Sequence, residues 1–115
     1  MKLVFTVSIL LFMTTLHAQQ SVEGIWNTGN DNTKIEIAAT NGVYEGTIVS
    51  SDNANAKIGK QLIKDVQSVD GEWKGKLYAA KRDKWMNAVL TTKNNQLILT
   101  VGEGWQSKTL EWSRD

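Results

Sequence analysis

A chain of 115 residues with thirteen Lys and Arg, twelve Asp and Glu, one His and no Cys has the length of a single domain and lacks the strongly basic balance of a nucleic-acid binder. Its one histidine, His17, falls in an N-terminal stretch that reads as removable, so the domain that follows contains neither His nor Cys. That excludes Ser-His and Cys-His nucleophilic catalysis, the usual zinc and copper sites and any disulfide framework.

The N-terminal stretch is MKLVFTVSILLFMTTLHAQQ. Lys2 supplies a positive start, residues 3–16 are mostly apolar, and Ala18 is the small residue that a signal peptidase accepts. Residues 1–18 are therefore expected to be a secretory signal, and 19–115 a single exported domain, periplasmic or extracellular. The apolar run is shorter than the roughly 20 residues of a bilayer span, so no membrane span is expected. Once Lys2 leaves with the signal, acidic and basic side chains balance.

Downstream, short β-type runs alternate with turn residues at intervals of about 8 to 12 residues, the spacing of all-β folds. Eight strands are expected. The first covers 23–27. The second, 33–39, alternates, with Ile35, Ile37 and Ala39 on one face and Lys34 and Glu36 on the other. Asn41-Gly42 follows, a two-residue hairpin signal, because a type I′ turn needs positive φ at both positions. The third strand covers 43–49. A polar loop, SSDNANAKIGK, leads to a short fourth strand, 61–66. Asp70-Gly71 opens the next hairpin. The fifth strand, 72–79, sets Trp73, Gly75, Leu77 and Ala79 against Glu72, Lys74, Lys76 and Tyr78. The sixth, 84–92, turns at Asn94-Asn95 into the seventh, 96–101. The stretch GEG then joins the eighth, 108–114, where Leu110, Trp112 and Arg114 share a face. No segment carries helical periodicity.

Side chains alternate faces along a strand, so this pattern describes an antiparallel sheet with one buried face. Eight short strands joined by tight turns leave no exposed edge if they close on themselves. An up-and-down eight-stranded barrel is the expected fold, with an open β-sandwich as the alternative. In a closed barrel the first and last strands meet. Gly24 and Trp26 then point inward where Arg114 also points inward, and a guanidinium stacked on an indole stabilises such a junction by about 0.5–2 kcal/mol. Trp26 reads as a plug, with Gly24 leaving room for the chain to close.

A Gly-x-Trp on the first strand with an Arg ending the last resembles the lipocalin and calycin superfamily, in which that pair seals the closed end of the barrel. A longer run of segments, GIWNT, VYEGTIV, GKQLIKDV, GEWKGKLYAAKRDKWMNAVLTTKNNQLILTVGEG and LEWSR, resembles the small exported bacterial family catalogued as domain of unknown function 2147. That resemblance implies a lipocalin-like barrel and brings no settled activity. Where family members usually carry Asp-Pro after an apolar residue and Tyr in the fifth strand, this chain has Ala79-Ala80 after Tyr78.

Chemistry that survives without His or Cys is limited. Paired carboxylates hydrolyse glycosides, but Glu36, Glu72 and Glu111 face outward by parity, beside Lys34, Lys74 and Lys76. The Asn30-Asp31-Asn32 and Asp52-Asn53 stretches lack the alternating ligand positions of a calcium loop and read as turns. The protein is expected to be no enzyme, with no metal site and no cofactor. Tryptophan is the unusual element. Parity sends Trp73 and Trp112 inward, and with Tyr44, Met86 and Leu99 they form the expected ligand-lining set, since eight-stranded barrels are wide enough to hold one small ligand. The leading expectation is binding of a small apolar or amphipathic ligand at the barrel mouth. The alternative is an envelope protein-interaction surface around a filled barrel, using Trp85, Trp105 and the basic run Lys81, Arg82 and Lys84.

Overall fold

The computed structural model describes residues 21–115; the expected signal, residues 1–18, lies outside the described residues. Eight antiparallel strands close into one barrel in chain order: β1 (Gly24–Asn27), β2 (Lys34–Thr40), β3 (Val43–Ser50), β4 (Gln61–Val69), β5 (Glu72–Ala79), β6 (Lys84–Lys93), β7 (Gln96–Val101) and β8 (Lys108–Arg114). The open sandwich is thereby set aside. One turn of 3-10 helix, Gly104–Gln106, interrupts the β7–β8 connection.

The hairpins form where turn chemistry places them. Asn41 and Gly42, Asp70 and Gly71, and Asn94 and Asn95 all have positive φ, the backbone that matches the twist of the flanking strands. All three turns lie at one end of the barrel. The longer connections, 28–33, 51–60, 80–83 and 102–107, lie at the other, because an up-and-down chain returns to the same end after every second strand.

Strand β4 runs three residues past its expected end. Its pairing with β5 shifts register between Lys64 and Gln67, and Asp65 has φ +58°. This is a β-bulge, one extra residue that re-phases the strand. It lets Ile63 and Val66 both enter the core although their odd spacing would put them on opposite faces of a regular strand. The ladder then continues through Gln67, Ser68 and Val69. Gly75 on β5 faces the bulge: a Cβ there would lie 2.4 Å from Val66 Cγ2 and 2.8 Å from the Lys64 carbonyl oxygen. Ala39, in phase with Ile35 and Ile37, is exposed, since it sits beside the Asn41-Gly42 turn beyond the last layer of core.

The interior is filled toward the end that carries the tight turns. Trp26, Ile35, Ile37, Ile63, Leu90, Leu97 and Leu99 are fully buried. Gly46 provides the space between Ile35, Ile37 and Ile63, whose atoms approach within 3.1–3.3 Å of where its Cβ would be.

Closure occurs between β1 and β8, where Trp26 pairs with Arg114 and Asn27 with Ser113. The Arg114 guanidinium carbon lies 4.2 Å from the centroid of the Trp26 ring. The Trp26 indole N–H donates to the Val22 carbonyl at 2.9 Å, and Arg114 Nη1 donates to the Glu23 carbonyl at 3.3 Å. Gly24 has φ +139°, and a Cβ on it would come 2.6 Å from Arg114 Nη1. The Asp115 amide adds a bond to the Ile25 carbonyl, and Lys34 reaches the Asp115 carboxylate at 3.2 Å.

Two substitutions separate burial from stacking. Trp26→Ala is expected to cost about 3–5 kcal/mol, as large-to-small core changes do. Arg114→Ala is expected to cost about 1 kcal/mol, the scale of an exposed cation–π contact. Urea unfolding followed by fluorescence checks both, and equal costs would assign the junction to the guanidinium instead. In the same assay Gly75→Ala is expected to lose about 1–3 kcal/mol by overpacking against the bulge.

Candidate functional site

The end of the barrel that carries the longer connections is open. A cavity of about 500 Å³ lies there, with Leu77, Met86, Val101 and Leu110 as its apolar floor and Asn30, Lys81, Arg82, Gln106 and Lys108 at its rim. A recess of about 340 Å³ shares Asn30, Leu77, Tyr78 and Leu110 with it and extends to Leu62 and Trp112. Each floor residue is an inward side chain in the part of its strand nearest a long connection. The core residues lie below, so the barrel is packed in its lower part and open above.

The rim is braced by hydrogen bonds between loops. Asn27 bonds the Asn32 side chain at 2.7 Å and accepts from the Gly29 amide at 2.8 Å. The Asp52 amide donates to the Asp31 carbonyl at 2.8 Å. Asn53 Nδ2 donates to the Asp31 carboxylate at 3.3 Å, and the Thr33 and Ser51 hydroxyls lie 2.7 Å apart. The Asp and Asn residues of these loops thus hold the β1–β2 and β3–β4 connections together. Among the described residues no three His, Cys, Asp or Glu side chains converge as a metal site.

The expected ligand-lining residues divide by position. Met86 is on the floor of the mouth, and Trp112 borders the recess. Leu99 is fully buried in the core. Tyr44 and Trp73 stand near the tight turns at the opposite end, edge to face, with ring centroids 5.3 Å apart. The sequence reading did not single out Val101, Gln106 or Lys108 as mouth residues. A usable signal was present: in an up-and-down barrel the long connections share one end, so the inward residues nearest them form the mouth.

The outer face of β4–β6 carries a second arrangement. Tyr78 and Trp85 meet edge to face at 5.5 Å. Lys60 Nζ lies 4.4 Å from the Tyr78 ring centroid and Lys64 Nζ 4.3 Å from that of Trp85. Lys76 donates to Asn87 Oδ1 at 2.9 Å, and Asn87 donates in turn to Glu103. A groove of about 420 Å³ runs beside them, bordered by Lys76, Arg82, Lys84, Trp85 and Glu103. Trp105, on the 3-10 turn, is 90% exposed. The outward glutamates pair less than expected. Glu72 meets Lys74 at 3.7 Å, whereas Lys34 turns to Asp115 and Lys76 to Asn87.

The fold and its mouth define a closed eight-stranded up-and-down β-barrel with a half-enclosed apolar cavity at one end. Comparison with known proteins finds no family model that matches this chain and no curated protein that matches it. No helix among the described residues is long and apolar enough to cross a membrane.

One titration reports on the rim. The Tyr78 hydroxyl donates to the Asp83 carboxylate. That bond, with burial and the nearby negative charge adding to it, raises the Tyr78 hydroxyl above its ordinary value, which is about 10. Because the folded state holds this proton more tightly, the contribution to stability is present below pH 10 and lost as pH rises through the folded value. Of the two tyrosines, Tyr44 and Tyr78, the absorbance of tyrosinate is expected to show Tyr78 ionising late, and Asp83→Asn is expected to bring it back down. An unchanged titration in the Asp83→Asn protein would contradict the bond.

Proposed function

We propose that this chain is an exported, non-enzymatic, lipocalin-like barrel of the domain of unknown function 2147 type that binds a small apolar or amphipathic molecule in its mouth. The observation that carries this reading is the half-enclosed cavity of about 500 Å³ with an apolar floor, within the roughly 300–1,000 Å³ of small-molecule sites. Binding rather than catalysis is supported by composition, because the region after residue 18 offers no His or Cys, and by the exposure of Glu36 and Glu72 on the outer wall, which leaves Glu111 as the one carboxylate at the recess. Export is supported by the N-terminal sequence pattern.

Tryptophan fluorescence titrated with fatty acids, haem and sterols tests this reading, with Trp112 as a reporter at the recess. At least one of these is expected to shift or quench the emission saturably. Ala79 also lines the mouth cavity, and Ala79→Phe, which places a ring there, is expected to weaken that ligand at least tenfold while leaving the unfolding midpoint nearly unchanged. No response to any ligand would remove the reading.

The second reading, a protein-interaction surface, is favoured by the exposed indole of Trp105, since aromatic side chains are enriched among interface anchors. It would replace the first if no ligand titrates the mouth and a defined envelope protein binds the intact chain but not Trp105→Ala.

A further inference from the structure

We infer that the mouth selects amphiphiles with an anionic head group, the apolar tail entering the cavity and the head remaining at the rim. This rests on the reading above that the mouth binds a ligand, and adds the charge of what it takes. Three cationic residues, Lys81 and Arg82 from the β5–β6 turn and Lys108 at the start of β8, line the cavity, and no carboxylate lines it with them. The chain after residue 18 is formally balanced, so this is a local separation of charge.

The three cations also lack internal partners. The ion pairs formed among the described residues are Lys34 with Asp115 and Lys74 with Glu72, both away from the mouth. Of the nearby carboxylates, Glu111 borders the adjoining recess, and two others are hydrogen-bonded to neutral groups. Asp83, in the same turn as Lys81 and Arg82, accepts the Tyr78 hydroxyl. Glu103 accepts the Asn87 amide and, like Arg82, borders the outer groove, with no ion pair formed between them. Lys60 and Lys64, by contrast, sit over aromatic rings. The mouth therefore holds three cationic groups above an apolar floor with no ion pair to any of them, the nearest carboxylates standing outside the cavity lining.

That arrangement suits a ligand with two chemistries at opposite ends. The tail gains by leaving water in proportion to its buried apolar area. A carboxylate or phosphate at the rim meets guanidinium and ammonium donors, and hydrogen bonds between charged partners are roughly twice as strong as neutral ones. An uncharged head gains only the tail term, and a cationic head is repelled. The rim is exposed to solvent, so the preference weakens with salt.

The test compares three ligands with one tail: decanoate, decan-1-ol and decyltrimethylammonium, each below its aggregation threshold, titrated at pH 7 in low and high salt. Decanoate is expected to bind at least tenfold more tightly than decanol, with decyltrimethylammonium weakest and the gap narrowing in salt. The triple variant Lys81→Gln, Arg82→Gln, Lys108→Gln is expected to erase the gap by weakening decanoate far more than decanol. The control double Lys74→Gln, Lys93→Gln, on strands away from the mouth, is expected to keep it. Equal binding of decanoate and decanol, with both lost in Ala79→Phe, would overturn the head-group inference and leave the mouth reading standing. Absence of binding by all three ligands would overturn both. Capture by phosphatidylglycerol vesicles without binding of monomeric decanoate would assign the cationic rim to a lipid surface and overturn the inference in this form.

Discussion

The barrel depends on the junction between its shortest strand and its last one. β1 has four residues, and its register with β8 contains two pairs, too little ladder to hold a closed sheet unaided. Trp26 supplies what the ladder does not. An aromatic side chain buries about 150–250 Å², which at about 25 cal/mol per Å² is an upper estimate of about 4–6 kcal/mol. The stacked guanidinium of Arg114 adds about 1 kcal/mol on its exposed side. Burial of the indole dominates, and the arginine covers the ring while bonding the Glu23 carbonyl. Gly24 is required because a β-carbon would collide with the guanidinium.

Sealing one end gives the barrel two different halves. Toward the plug, β-branched and leucine side chains from facing strands fill the space, and Gly46 keeps that layer from overpacking. Toward the long connections, the inward residues are fewer, and the β1–β2 and β3–β4 loops are tied to each other through the Asp31, Asn53, Thr33 and Ser51 bonds. The mouth exists because its walls are braced from outside while no large side chain fills it. The β4 bulge contributes by bringing Ile63 and Val66 to the same interior, and Gly75 is its complement on the neighbouring strand.

Eight strands and their hairpins were legible along the chain because two local rules determine them: alternation with a period of two, and turn dipeptides that tolerate positive φ. The rim pair Trp26 and Arg114 was legible because closure makes the ends of β1 and β8 neighbours in any up-and-down barrel. The β4 extension was not, since Asp65 breaks the alternation and a bulge is recognisable only against the partner strand. The ligand-lining set was readable as inward residues but not by depth. Tyr44, Leu99 and Met86 share a face pattern yet occupy the plugged end, the core and the mouth.

Fold class, strand boundaries to within a few residues, the positive-φ turns and the chemistry that the absence of His and Cys removes can all be read along the chain, because each follows from local backbone preference or from composition. The tertiary structure alone decided that Lys81, Arg82 and Lys108 share one rim, that Asp83 and Glu103 bond to Tyr78 and Asn87, and that the interior is filled at one end and open at the other. Those facts depend on strand stagger and on which residues stand opposite one another, quantities set by the closed sheet as a whole and carried by no single segment of the chain.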